Sequence, residues 1–148
     1  MNALDKLLIA EDIRRLKARY FRCLDTKNWG EMERVFGSDS VMDARAENRT
    51  GGTPDAHIHI GSVNIVVFLR THLEQVTTVH HGHSPEIDIT APDAATGIWA
   101  MEDMLRWPEG GPLKWMHGYG HYYETYKNDG QRWYIQTTTI RRLRVDSL

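Results

Sequence analysis

Ionisable side chains interrupt apolar patterns at several points in this 148-residue sequence, and each could do chemistry where it stands. Between residues 94 and 107 the odd positions read Gly97, Trp99, Met101, Asp103, Leu105 and Trp107, one carboxylate among uncharged residues. In a strand these share one face. If that face lines a core or pocket, two readings of Asp103 are open. It is a partly desolvated carboxylate, or a strand-end residue that reaches water or an arginine. Between 131 and 145 the odd face holds Trp133, Ile135, Thr137, Thr139, Leu143, Val145 and a single cation, Arg141. Arg141 is then the partner of an inward carboxylate or a substrate oxyanion, or a salt-bridging residue at the mouth. In the segment between them the odd face is Trp115, His117, Tyr119, His121 and Tyr123. Such side chains, apolar in body and polar at the tip, suit a pocket wall. On this parity Trp99, Met101, His117, Tyr119 and His121 are the candidate substrate contacts.

The eight histidines invite three readings: a metal site, a catalytic base, or scattered surface residues. His80, His81 and His83 form the densest group, and His81 and His83 share a strand face that could offer two imidazoles to a metal. His57 and His59 repeat the spacing in a loop candidate. A zinc site needs three or four ligands in a recognisable arrangement. With one cysteine and no His-Glu-x-x-His helix, no metal is assigned. A histidine base fits better, because Asp25 and Asp103 offer carboxylates to orient it. Asp25 falls at the C-terminal end of a helix, where the dipole disfavours negative charge. Tyr20 lies about 140° round a regular helix from Asp25, so the two converge only if the helix frays or turns near Thr26. Cys23 falls on the buried side and reads as core. No phosphate loop, nucleophile elbow or dinucleotide fingerprint is present, and no cofactor is expected.

These residues need elements to position them. Ile9, Ile13, Leu16, Tyr20 and Leu24 recur at helical spacing and predict a first helix ending near Asn28-Trp29-Gly30. A short helix from Glu31 to Phe36, a turn over Gly37–Ser40 and a short strand Val41–Asp43 follow. Residues 45–61 read as a loop, and Ser62 is placed to cap a third helix to about Leu73. Period-two patterning then predicts strands over 76–90, 94–107, 114–127 and 131–145, the last two joined by an Asn128-Asp129-Gly130 hairpin. The result is one α+β domain.

Composition narrows the function. With 41% hydrophobic and 26% charged residues, the chain is globular rather than disordered. Eighteen basic against twenty acidic side chains leave no excess to neutralise phosphates, which argues against a nucleic-acid partner. No apolar run suits a membrane span or a secretory leader, and Cys23 has no internal partner, so a cytoplasmic protein is expected. Met116, Tyr122, Tyr126, Tyr134 and Ile140 fall on the opposite faces of their strands. They are apolar for a solvated sheet face, which predicts contact with a second copy.

The stretches Lys17-Ala18-Arg19-Tyr20-Phe21-Arg22-Cys23-Leu24-Asp25, His80-His81-Gly82-His83-Ser84-Pro85-Glu86-Ile87, Thr96-Gly97-Ile98-Trp99-Ala100-Met101-Glu102-Asp103 and Gly130-Gln131-Arg132-Trp133-Tyr134-Ile135 resemble the SnoaL-like branch of the NTF2-like superfamily. The resemblance implies a cone-shaped, curved antiparallel sheet, a half-barrel closed by three N-terminal helices. The catalytic pattern is similar to that of bacterial bile acid 7α-dehydratases and, more distantly, scytalone dehydratase. It implies catalytic roles for Tyr20, Asp25, His80, Asp103 and Arg141, and selects His80 from its triplet. The implied activity is a cofactor-independent dehydratase acting on a small, hydrophobic, cyclic hydroxy-carbonyl substrate, steroid-like or polyketide-like. The same pocket would serve an isomerase, cyclase or dehydrohalogenase. A ligand-binding protein or the small subunit of a ring-hydroxylating oxygenase would share the fold without an internal acid–base cluster. A homo-oligomer is implied, a trimer ahead of a dimer. Residues 44–61 do not closely resemble the bile acid enzymes, and loops over the mouth set substrate fit.

Overall fold

The structure, a computed structural model, describes residues 1–47 and 54–148. Helix α1 (Ala3–Asp25) starts at Asn2, whose side chain accepts the Asp5 amide while Asp5 accepts that of Asn2. This reciprocal cap satisfies two otherwise orphaned donors. One face of α1 buries Ile13, Leu16, Tyr20, Cys23 and Leu24. The helix stops short of the expected residues 28–30, because Thr26 turns its hydroxyl onto the Arg22 carbonyl and Lys27 takes φ 58°. Helix α2 (Trp29–Glu33), capped by Asn28, also ends earlier than expected, since Phe36 already begins strand β1 (Phe36–Asp43).

Gly37–Ser40, expected as a turn, belongs to β1. The Ser40 hydroxyl accepts the Gly37 amide and donates to the Ile135 carbonyl, which pairs the backbone through an irregular stretch of strand. The expected loop over 45–61 falls partly outside the described residues, at 48–53. Its described remainder contains short helical turns and strand β2 (Ile58–Ile60), antiparallel to β1. Helix α3 (Ser62–Leu73) has the expected extent, but its cap is Gly61 at φ 86°, not Ser62. Strands β3 (Thr77–Ala91), β4 (Ala94–Arg106), β5 (Trp115–Asn128) and β6 (Trp133–Ser147) complete the chain. The β5–β6 hairpin turns at Gly130, φ 94°, with Asp129 accepting the amides of Gln131 and Arg132. The six strands form one curved, open sheet in the order β2-β1-β6-β5-β4-β3, antiparallel except for β1 beside β6. The helices cover its inner face. Among the described residues no helix is long and apolar enough to cross a membrane.

Register decides which side chains face that interior. On β4 the odd positions are inward, as expected: Trp99, Met101, Asp103 and Leu105 are buried. Across the ladder Trp99 pairs with Tyr122, Met101 with Gly120 and Asp103 with Gly118, so the inward face of β5 is the even one. His117, Tyr119 and His121 therefore sit on the outer face and leave the set of pocket residues. On β6 an extra residue at Gln136 and another at Leu143 shift the pairing with β5 twice. Each bulge flips the side chains that follow it. Between them the inward positions are Thr138, Ile140 and Arg142, while Arg141 is exposed with its guanidinium 4.3 Å from the Tyr123 ring centroid. The same inversion corrects the surface expected to meet a second copy: Met116, Tyr122 and Tyr126 are buried inside, and Ile140 lines the internal cavity. Tyr134 does lie on the outer face, opposite Lys127, but Gly37 packs on its ring and Asp39 accepts from its hydroxyl, so it too is buried.

Candidate active site

A cavity of about 810 Å³ lies between α1, α3 and the inner sheet face. Its walls are mostly aliphatic and aromatic, with Leu24, Phe68, Leu73, Leu105 and Met116 among them. That size and lining suit a small, largely apolar organic molecule. The polar groups gather around Tyr20, His80, Asp103, Tyr122 and Arg142.

Asp25 and His80 form the tightest pair there. Asp25, the last residue of α1, reaches the inner side of β3. It accepts from the His80 amide at 2.9 Å, the Thr78 hydroxyl at 2.9 Å and His80 Nδ1 at 2.7 Å. Burial pushes the Asp25 carboxyl up, but the bonds from the His80 ring and amide, the His80 charge and Thr78 outweigh it and hold it below the ordinary aspartate range. The carboxylate carries no proton to give at neutral pH, so Nδ1 carries the hydrogen of the shared bond and Nε2 is the ring nitrogen left facing the cavity side. The ring is only 5% exposed and lies parallel to Phe21. Tyr20 and Asp25 therefore need no fraying of α1 to act together, because they approach from different directions. Tyr20 lines the cavity, whereas Asp25 stands behind the imidazole, outside the lining.

Asp103 lies on the other side of His80, its carboxylate 3.9 Å from Nε2. Arg142 binds it with two parallel bonds of 2.6 and 2.8 Å and binds Glu47 through two more of 2.9 Å. Burial works against the Arg142 charge, but Asp103 and Glu47 more than offset it, and the guanidinium stays protonated. The backbone makes room for this pair at Gly118, the partner of Asp103 on β5. A Cβ there would stand 2.1 Å from Arg142 and 2.4 Å from Asp103.

Beneath the cavity lies a polar network that no local pattern announced. Lys17 and Glu124 are wholly buried and joined at 2.5 Å. Glu124 also accepts from the hydroxyls of Thr138 at 2.8 Å and Tyr126 at 2.6 Å, and Tyr126 accepts from the Trp99 indole at 2.8 Å. The Lys17 ammonium stands 3.4 Å from the Tyr122 ring centroid and 4.4 Å from that of Tyr20. Burial raises both tyrosine hydroxyls above their ordinary range, so they remain protonated donors.

The structure thus brings Tyr20, Asp25, His80 and Asp103 to one end of the cavity. It places Arg142, not Arg141, beside Asp103, and puts Trp99 and Met101 in the core beside the cavity rather than on its lining. Glu47, Lys17, Tyr122 and Glu124 were not anticipated.

One prediction concerns Asp25 alone. Its proton affinity is lower in the folded chain, so its contribution to stability is complete above the ordinary aspartate value of about 3.9 and is lost as pH falls through its own lower value. Urea midpoints of the wild type and Asp25→Asn should therefore differ most near neutrality, and the gap should close in acid below about pH 4. A gap that stays constant into acid would contradict the ionised Asp25.

Comparison with known proteins agrees with this architecture. The family model described as a SnoaL-like domain matches residues 5–139. The chain is 28% identical over 143 residues to the probable cyclase FGR4 of Gibberella zeae, spanning 88% of this chain and 89% of that protein. A hexachlorocyclohexane dehydrochlorinase, LinA type 2, superposes with a TM-score of 0.82 at 15% identity, covering 99% of this chain and 93% of the other. A scytalone dehydratase-like protein of Novosphingobium aromaticivorans also superposes with a TM-score of 0.82, at 18% identity and coverage of 99% and 92%.

Proposed function

Because the chain belongs to the SnoaL-like domain family, we propose that it is a cofactor-independent enzyme that removes a carbon-bound proton and expels water from a cyclic hydroxy-carbonyl substrate. One observation carries this reading. His80 is fixed through Nδ1 on Asp25 at 2.7 Å and turns its other nitrogen toward an apolar cavity. An imidazole oriented in this way is a general base.

Nε2 takes a proton from the carbon next to the substrate carbonyl, and the electron pair moves into an enolate. The Tyr20 hydroxyl, kept protonated by burial, donates to the enolate oxygen. The imidazolium is stabilised by Asp25 behind it and Asp103 in front. As the enolate collapses, the carbon–carbon double bond forms and the carbon–oxygen bond breaks. The imidazolium proton passes to the departing hydroxide, which leaves as water, and His80 returns to its neutral form. Arg142 holds Asp103 aimed at this site through its two parallel bonds.

The names of the relatives support proton removal as the shared step. A dehydrochlorinase and a dehydratase both lose a proton and a leaving group. The relative named a cyclase favours a second reading, in which the same enolate attacks an internal carbonyl and closes a ring. Mass spectrometry on a panel of cyclic hydroxy-ketones separates the two, since elimination lowers the product mass by one water and leaves the ring count unchanged. Ring closure without loss of water, or no turnover across the panel, would count against the dehydratase.

The two adjacent arginines give a sharper contrast. Arg142→Gln removes a charge-assisted contact to Asp103 and should lower kcat/KM about ten- to a hundredfold. Arg141→Gln, on the outer face, should leave kcat/KM near the wild-type value. The reverse ranking would mean that the β6 bulges do not hold in solution.

A further inference from the structure

We infer that the outer face of the sheet carries a binding site for a divalent transition metal, built from His81, His83 and Glu102 with His117 beside them. The site lies across the sheet from the cavity and is independent of the proposed reaction. His81 and His83, two residues apart on β3, project outward together, and Glu102 on β4 is the direct ladder partner of His81. Glu102 Oε1 lies 3.3 Å from His81 Nδ1 and 3.8 Å from His83 Nε2. One ligand atom from each of the three falls within 4.8 Å of the others. His117, reaching over from β5, places Nε2 3.0 Å from Glu102 Oε2, and its Nδ1 is 3.2 Å from the Tyr119 hydroxyl. Three strands thus aim imidazole and carboxylate groups at one spot.

The donor set decides the ion. Imidazole nitrogens with one carboxylate suit Zn²⁺, Co²⁺, Ni²⁺ or Cu²⁺, whereas Mg²⁺ and Ca²⁺ need oxygen ligands throughout. Bonds of about 2.0–2.2 Å require the donor atoms to draw closer than they stand here. The two β3 imidazoles are about half exposed, so side-chain rotation alone can supply this. His117, already held through its other ring nitrogen, is placed to complete the set.

The position also gives the ion something to do. β3 is an edge strand of the sheet, and His80 projects inward from it, its own amide and the Thr78 hydroxyl bound to Asp25 of α1. An ion bridging β3 to β4 would clamp this edge from outside and restrain the strand that carries the imidazole.

The test uses untagged protein and ZnCl₂ in a non-chelating buffer near neutral pH. Calorimetric titration should show one Zn²⁺ per chain, no saturable heat with Mg²⁺, and affinity about tenfold or more weaker in a His81→Gln/His83→Gln variant. That variant should keep its wild-type circular dichroism in chelator. In the wild type, Zn²⁺ should also slow amide exchange over residues 79–83, as expected if edge opening is suppressed. No saturable Zn²⁺ binding by the wild type, or equal affinity in the double variant, would overturn the site. Exchange that Zn²⁺ leaves unchanged would overturn the clamp.

Discussion

His80→Ala should lower kcat/KM by about 10²–10⁴-fold, the range for a lost general base, while the fold survives. The substitution keeps the His80 amide bond to Asp25 and the β3–β4 ladder, so circular dichroism should be unchanged. Asp25→Asn is the informative companion. An asparagine there can turn its amide donor toward Nδ1, which would draw the imidazole into the other tautomer and occupy Nε2 with hydrogen. Activity should fall although every cavity-lining side chain remains in place. Wild-type turnover in either variant would remove the base from the mechanism.

Lys17→Met should cost about 3–5 kcal/mol of stability, because it strands the Glu124 carboxylate in the core. Both side chains are fully buried, and the hydroxyls of Tyr126 and Thr138 that remain cannot replace an ammonium. Burial pushes the Lys17 ammonium below its ordinary range and Glu124 resists it, so the pair is held by mutual need. A drop in Tm of roughly 6–20 °C is expected for a chain of this length. The double variant Lys17→Met/Glu124→Gln should recover most of the loss, since a neutral amide needs no counter-charge and can accept from one hydroxyl through its oxygen while donating to the other through its nitrogen. Urea melts of the four proteins give the coupling energy. A single variant within about 0.5 kcal/mol of wild type would contradict the burial of the pair. Lys17 also stands against the Tyr20 and Tyr122 rings, so its loss should loosen the cavity floor as well.

The parts of this molecule that were legible in the sequence are those set by local pattern. The extent of α3, the long strands and the Asn128-Asp129-Gly130 hairpin follow from periodicity and turn chemistry. Strand β2 has three residues, too few to show a period, and exists because β1 pairs with it. The larger gap concerns faces. Parity within β4 was readable because its odd residues are apolar around one carboxylate. On β5 the inward residues include Gly118, Gly120 and Glu124, which look unlike a core, while the outer face carries aromatic rings. Glu124 is tolerated inside only because Lys17 arrives from a helix 107 residues away. On β6 the choice between Arg141 and Arg142 depends on a bulge at Gln136, and a bulge is a property of strand pairing.

The site shows the same division. Its residue types, a histidine flanked by carboxylates, were visible, and so was the peculiarity of an acid at a helix C-terminus. The direction from which Asp25 approaches was not, since it depends on how α1 crosses β3. Glu47 joins Arg142 from a segment with no periodic signal, 95 residues away.

The central claim is that His80 removes a proton from carbon, and the most direct test isolates that step from the departure of any group. A cyclic ketone that occupies the cavity but lacks a hydroxyl should exchange its α-hydrogens in D₂O when wild-type protein is present, followed by NMR. His80→Ala should slow that catalysed exchange by about a hundredfold or more. Exchange at the same rate with both proteins would contradict the account.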